Sequence, residues 1–597
     1  MKPLFSPDSK LQTAKGKELV AYLQECLFKP AQQYREIEDY RWLNYEAYYN
    51  NNCWFDVNPG TGVLTPIPVD EWREKISIPE TFINHRAIKS LILNKDPEYT
   101  VVPSRNDEYF DINSGPVFGQ GPQRLGAYKP GPIMDAARAG QYYLNEAEEE
   151  CHLKLNRDEL VDDGLIVGNG TWVFGYDKSA KYGQGSCEVR RTSPYAVFYD
   201  PLTKNVKTQK GMRYWVIAER MGVDEIFDRY GKVVEPDNKL SISPFEEQLL
   251  RLENPNADVP MNTAMVYRYE IKEPVSFAIN GIDESIPETV VRTIITTDKI
   301  VLEDRYDPFN IDRFSVLTLQ YNARPGQIYA DGNIRHQMEI KDQLDKRMSH
   351  LVDSAKRMSL PRIVVGKAGF DEEQWNDEPG AILQVDESQT KIIPSVLQGA
   401  SVGQDVKYII EYHEKKMEDV VGLHGVSRGI LPPGITSGRQ LELAQAADTQ
   451  VLGPYIKELE RFMGDAARLM LLLVQKNSSE PIEFSYTDRD NGLVNTMFDP
   501  SQLDFSKVRV EISSYLANTK AARQDILLQL FQAGAIGREV LARGYEFPDI
   551  PALLEDAANT SAQAQRSQQL AASMPPAQPT NPNGPGLVAP QQQPAFG

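Results

Sequence analysis

The sequence predicts an α+β fold, and three observations carry that prediction. Seven strand-like stretches crowd residues 187–320, three long helical periodicities follow between Ala330 and Lys476, and a Pro/Gly-rich loop separates the second of those helices from the third. Runs of strands followed by runs of helices, without βαβ alternation, favour a mixed and mostly antiparallel sheet.

At the N-terminal end, residues 17–50 carry Leu19, Leu23, Leu27, Tyr34, Ile37, Tyr40, Trp42, Leu43 and Tyr48. This is the spacing of a helical hairpin packed on a core, and it argues against a platform on which bases stack. A turn-rich patch (Asn58-Pro-Gly-Thr-Gly62) precedes a helix over Thr81–Leu93 and a short strand over Tyr99–Pro103. Glycines and prolines then make residues 104–132 a long loop. Gly119-Gln-Gly-Pro-Gln-Arg-Leu-Gly126 lacks the preceding strand that a nucleotide-binding turn requires. One helix is expected from Ile133 to about Asp163, leading through Gly164-Leu-Ile-Val-Gly168 into a strand.

The strand signals are Cys187–Arg191, Ala196–Tyr199, Tyr214–Arg220, Ala264–Ile271, Val290–Thr296, Lys299–Leu302 and Phe314–Tyr321. Helical pieces interrupt them at Asp224–Tyr230 and Pro244–Leu252. Lys204, Lys207, Lys210 and Arg213 read as a solvated turn beside the sheet.

The first long helix spans Asp331–Met358, with Ile334, Met338, Leu344, Met348, Leu351, Val352, Ala355 and Met358 at three- and four-residue steps. Pro361 ends it, because proline keeps the residue before it out of the helical region. The insert Leu360–Pro394 has strand-like pieces at Arg362–Val365, Ala381–Val385 and Lys391–Pro394. Between them lies an acidic loop with Asp371, Glu372, Glu373, Trp375, Asp377 and Glu378. Consecutive acids without a histidine or glycine scaffold are ordinarily surface, and a tryptophan in an acidic rim suits a protein interface.

A capping box at Ser401/Gln404 opens the second helix, which continues through Val406, Ile409, Ile410, Met417, Val420 and Val421. Val426–Thr436 cannot be helical through Pro432-Pro433-Gly434. A second capping box, Ser437/Gln440, opens the third helix, and Gly453-Pro454 is expected to kink it. Strands over Ile482–Tyr486 and Val508–Ser513 are expected to return to the main sheet, followed by short helices over Thr519–Ala533, Gly537–Arg543 and Ile550–Ala558. From Asn559 to Gly597 the only charge is Arg566, among glutamines, alanines and seven prolines, the composition of a disordered tail.

Composition narrows function. A chain of 597 residues exceeds one hydrophobic core. The most apolar run, Leu469–Val474, is far shorter than the roughly 20 residues a membrane span needs, and the N-terminus lacks the apolar stretch of a signal peptide. Synthesis in the cytoplasm is therefore expected. Cys26, Cys53, Cys151 and Cys187 are scattered in the manner of reduced thiols and form no metal-binding pair. His336 and His350 have no ligand spacing, and no phosphate-binding GxxxxGK[ST] run occurs. A net charge of −20 argues against tight grip on phosphates, yet suits a surface along which DNA must slide.

The order of elements, with Gln327-Ile-Tyr-Ala-Asp-Gly332 entering the first long helix and Gly429-Ile-Leu-Pro-Pro-Gly-Ile-Thr-Ser-Gly-Arg-Gln440 entering the third, resembles the portal, or head-to-tail connector, proteins of tailed double-stranded-DNA bacteriophages. Arg191-Thr-Ser-Pro-Tyr-Ala-Val-Phe-Tyr-Asp-Pro201 is similar too, and the likeness spans residues 20 to 556. The resemblance implies a portal-like fold. Residues 1–327 and the return strands 478–517 would form the wing, 328–359 and 399–424 the two stem helices, and 360–398 a strand-rich clip. Residues 425–437 would be the tunnel loop, 438–477 the tunnel helix, 518–558 a helical crown and 559–597 the disordered tail.

It further implies a ring, usually of twelve copies, at one capsid vertex of the virion, with no catalytic residues, metal or cofactor. Partners would be the terminase large subunit, head-tail adaptor proteins, the major capsid and scaffolding proteins, and the double-stranded DNA passing through. Arg428, Ile430, Leu431, Pro432, Pro433 and Ile435 would face that DNA, and the acidic residues around Trp375 would dock terminase and then adaptors. The competing reading is a metal-dependent DNA-processing enzyme using carboxylates such as Asp371, Glu372 and Glu373, and a weaker one is a non-viral ring protein with a similar helical layout.

Overall fold

The computed structural model describes residues 10–58, 63–70, 73–94, 96–104, 109–111, 127–129, 132–237, 243–253, 262–274, 289–309, 311, 313–359, 362–364, 395–397, 404–422, 438–478, 481–487, 493–511, 527–533 and 541. It divides into two units at Ser513/Ser514, and all the numbered helices and strands below belong to the first.

The N-terminal segment is one helical run and not the expected hairpin. Lys17–Leu23 passes through a π-helical turn, Gln24–Phe28, into helix α1, Lys29–Tyr49. Pro30 falls in the first turn of α1, where a missing N–H costs least, so it does not force a reversal. Leu19, Leu23, Leu27 and Phe28 pack on Phe198, Tyr214, Val216 and Tyr267 of the sheet behind them. Arg35, fully buried on α1, donates to the carbonyls of Pro194 and Val197, pairs with Asp39 at 2.8 Å and lies 3.6 Å from the Phe198 ring centre. Burial raises the Asp39 carboxyl above its usual range, against the lowering influence of Arg35.

Helix α2 is Glu80–Ile92, followed by strand β1, Glu98–Pro103. The helix expected over 133–163 is two, α3 (Pro132–Glu150) and α4 (Leu153–Ile166), because His152 adopts a left-handed conformation at φ +50° and breaks the run.

The strand stretches are found close to their expected places but form two sheets. Strands β2 (Asn169–Asp177), β3 (Ser186–Thr192) and β9 (Val316–Gln320) make one sheet in the order β9-β2-β3. Strands β4 (Val197–Tyr199), β5 (Tyr214–Gly222), β6 (Thr263–Pro274), β7 (Thr289–Thr296) and β8 (Val301–Tyr306) make a five-stranded sheet in the order β8-β7-β6-β5-β4. All described strand pairs are antiparallel. The first six residues of β2 are all buried, so it is covered on both faces and not alternating.

Helices α5 (Met338–Ser359), α6 (Gln404–Val421) and α7 (Gly438–Asn477) are the three long helices. α7 runs unbroken through Pro454, and its buried residues Leu452, Ile456, Leu459, Phe462, Met463 and Leu473 join Trp172 and Phe174 of β2 in the largest core. Trp172 meets Phe462 edge-on at 5.2 Å, and its indole N–H donates to the carbonyl of Asn156 on α4.

Past α7, Ile482–Thr487 pairs with Leu493–Phe498, a strand the sequence reading did not propose. Phe505–Glu511 pairs with β1. Neither returns to the two larger sheets. Of the short helices expected afterwards, which fall in the second unit, residues 527–532 and residue 541 are described as helical.

Candidate functional site

The entry to α5 is built by two backbones too close for side chains. Gly168, at φ +98°, would place a Cβ 2.4 Å from the carbonyl oxygen of Ala330, and a Cβ on Gly332 would lie 1.7 Å from that of Ile166. The Asn169 side chain closes the joint: its Oδ1 accepts from the Ala330 amide at 3.2 Å and from Gln320 Nε2 at 2.8 Å. Asp331 pairs with Arg324 and Arg335. This is why Gln327–Gly332 is so specified: it threads α5 onto the end of α4.

α5 carries a buried polar stripe, Lys341, Asp345, Ser349 and Asp353, one residue per turn. Segment 73–78 lies along it. The backbone amides of Glu74, Ile76 and Ile78 donate to Asp353, Ser349 and Asp345 at 3.2, 3.1 and 3.1 Å. Lys341 pairs with Asp345 at 2.5 Å and donates to Ser77, while Lys356 pairs with Glu74. Sequence reading missed this seam, although the four-residue recurrence of polar side chains in α5 was its visible signal.

Beyond α5, Arg362–Val364 pairs with Ser395–Leu397 in register Arg362↔Leu397 to Val364↔Ser395. The two ends of the insert are thereby held one strand spacing apart, about 4.8 Å. The predicted docking residues Asp371, Glu372, Glu373, Trp375, Asp377 and Glu378 lie outside the described residues, as do the strands expected at 381–385 and 391–394.

α6 packs against α5 and touches α2. Ile410, Met417 and Val421 are buried, whereas Tyr408, Tyr412 and Val420 are 69%, 49% and 40% exposed. Tyr408 and Tyr412, four residues apart, share one face. Partial burial, and then the carboxylates of Glu80, Glu411 and Glu418, push the Glu414 carboxyl above its ordinary range. α6 ends at Gly422, φ +72°, whose amide donates to the Glu418 carbonyl at 2.9 Å. A Cβ there would lie 2.5 Å from Val451 Cγ1, so α6 terminates against α7.

The loop residues Arg428, Ile430, Leu431, Pro432, Pro433 and Ile435 lie outside the described residues. The lysine-rich turn beside the sheet is more tied down than its sequence predicts. Lys207 pairs with Glu458 of α7 at 2.7 Å and donates to the Gln320 carbonyl, and Arg213 grips the buried Asp200 through two nitrogens at 2.7 and 2.8 Å.

Among the described residues no group of three or more His, Cys, Asp or Glu is placed to hold a metal ion, and no helix is long and apolar enough to cross a membrane. The four cysteines are free thiols, and burial lifts Cys53 and Cys151 to about 11. What the chain assembles is a sheet-bearing body from which a pair of helices carries a pinned insert.

A comparison with curated proteins finds no match. Among protein families, the description "Phage P22-like portal protein" fits residues 134–595, a span holding α4 to α7, both sheets and the insert. By that match, which covers most of its 597 residues, the chain belongs to the phage P22-like portal protein family.

Proposed function

We propose that this portal protein forms a ring at one capsid vertex and serves as the channel through which the genome is packaged, retained and ejected. The role is structural, with DNA translocation driven by a separate terminase. The insert 360–398, the clip in this reading, docks the terminase large subunit and later the head-tail adaptors through the acidic residues around Trp375. Residues 425–437 are the tunnel loop, with Arg428 the one charge directed to DNA. Major capsid and scaffolding proteins surround the ring, whose copy number is taken as twelve.

Family membership supports the portal role. The observation that carries the finer reading is the layout of α5 and α6: two packed helices, an insert whose ends are pinned by Arg362–Val364 and Ser395–Leu397, and exposed tyrosines on α6. An amphipathic pair with large apolar groups left in solvent fits association with neighbouring copies. A net charge of −20 suits a bore that must not hold phosphates.

Two variants test it. Deleting Ile430–Ile435 is expected to leave assembly intact while impairing DNA packaging or retention, measured by the genome content of filled heads. Normal filling would remove the loop from the mechanism. Trp375→Ala is expected to weaken terminase or adaptor binding in a pull-down with purified partners, and unchanged affinity for both would refute the clip assignment.

A further inference from the structure

A cavity of about 620 Å³ lies between the end of β2 and the β6-β7-β8 side of the five-stranded sheet, with no residue of α5, α6 or α7 in its lining. That volume is in the range of ligand-holding clefts. Strand register builds its floor. Residues directly opposite on antiparallel strands share a face, so Glu270, Thr293 and Arg305 form one row and Arg268, Ile295 and Glu303 the next. Tyr176, Tyr230 and Phe309 supply aromatic walls.

The hydrogen bonds of this lining do not balance. Its acids are largely satisfied: Asp177 accepts from the Ser179 amide and hydroxyl at 2.8 and 2.7 Å, and Glu303 pairs with Arg305. Glu270, in the row beside them, accepts from the Trp215 indole, the Ser315 amide and Arg268 at 3.0, 3.0 and 2.6 Å. Donors are left over. The Thr293 hydroxyl, on a residue 5% exposed, and Arg268 Nε have no hydrogen-bond partner among the described residues. A buried donor without an acceptor is costly, so the lining calls for an acceptor that this chain does not supply.

We propose that the cavity receives an acidic side chain on a short segment of a partner protein, its carboxylate taken up by Thr293 and Arg268 with Arg229 at the mouth. This assignment goes beyond the channel reading and does not depend on ring formation. Glu188 separates a peptide from a phosphate. It is an exposed part of the lining with no hydrogen bond or ion pair among the described residues, so it opposes a dianion yet can accept a peptide N–H beside the bound carboxylate. Phe227, three residues before Tyr230 on the helix Val223–Tyr230, is 51% exposed, and Val233 beyond it is 80% exposed. Apolar groups of this size beside a polar cleft suit a protein partner.

The test uses the full-length protein and the fluorescence anisotropy of a labelled pentapeptide in which two glutamates flank a phenylalanine. Saturable binding is expected, and the same peptide with glutamines should bind at least about tenfold more weakly. Thr293→Val removes a hydroxyl without a partner, so its urea midpoint should stay unchanged or rise while binding of the glutamate peptide falls about tenfold. Arg229→Gln, at an exposed position, should weaken binding about threefold, and carries the comparison if Thr293→Val does not fold. Inorganic phosphate in large excess over the peptide should not displace it. No saturable binding, equal binding of the two peptides, displacement by phosphate, or unchanged binding in the folded variant used would overturn the proposal. Binding that is lost as the chain self-associates at rising concentration would give the site to a second copy, and would overturn it as well.

Discussion

The body and the helical pair solve the same problem differently. Around β2, the chain closes its own core: Trp172 and Phe174 are fully buried against α7, and the joint of Gly168 with Ala330 and Gly332 with Ile166 leaves no space to fill. On α6, Tyr408 and Tyr412 remain in solvent although three apolar neighbours on the same helix are buried. The difference separates what the single chain buries in order to fold from the face that, in the proposed ring, is kept for association. Substitutions in the body are therefore expected to cost stability, and substitutions on the outer face of α6 to cost assembly.

The largest expected effect is that of Trp172→Ala, which empties a site bounded by Phe462 and α4. A loss of about 3–5 kcal/mol is expected in urea denaturation. A loss below about 1 kcal/mol would mean that this contact between body and α7 is not a core contact. Gly332→Ala comes next, since its Cβ would lie 1.7 Å from a backbone oxygen that cannot rotate away. Overpacking of this kind costs about 3 kcal/mol, and the cost should appear as a lowered denaturation midpoint with an unchanged slope. The smallest effect on folding is that of Tyr408→Ser with Tyr412→Ser, whose stability should stay within about 0.5 kcal/mol of wild type, as for exposed positions elsewhere. A large destabilisation by this pair would place the tyrosines in the fold itself and erase the contrast.

Much of this was legible beforehand, for physical reasons that differ along the chain. The helices α5, α6 and α7 announce themselves because their apolar residues recur at three and four over many turns, and the strands because β-branched and aromatic residues cluster between turn formers. The helix break at His152 was not legible, since a left-handed non-glycine residue has no strong sequence mark. Nor was the partition into two sheets, because pairing depends on contacts distant in sequence, such as Val316–Gln320 with Asn169–Val173. Gln327–Gly332 looked special without a reason, and the reason is the approach of two backbones. The seam along α5 was only half legible, since its acceptors Asp345, Ser349 and Asp353 recur every four residues but its donors are the backbone amides of segment 73–78, which every sequence has. The acidic residues around Trp375 looked like a protein interface by composition, but their docking role and the DNA-facing role of the loop residues came from resemblance, and both sets lie outside the described residues.

The open face of α6 is most directly tested by negative-stain electron microscopy of the purified full-length protein beside the Tyr408→Ser, Tyr412→Ser variant at equal concentration. Rings with a central channel for the unaltered chain, and their loss in a variant that stays folded, are the expected outcome. A monodisperse monomer for the unaltered chain at high concentration, or undiminished rings in the variant, would contradict it.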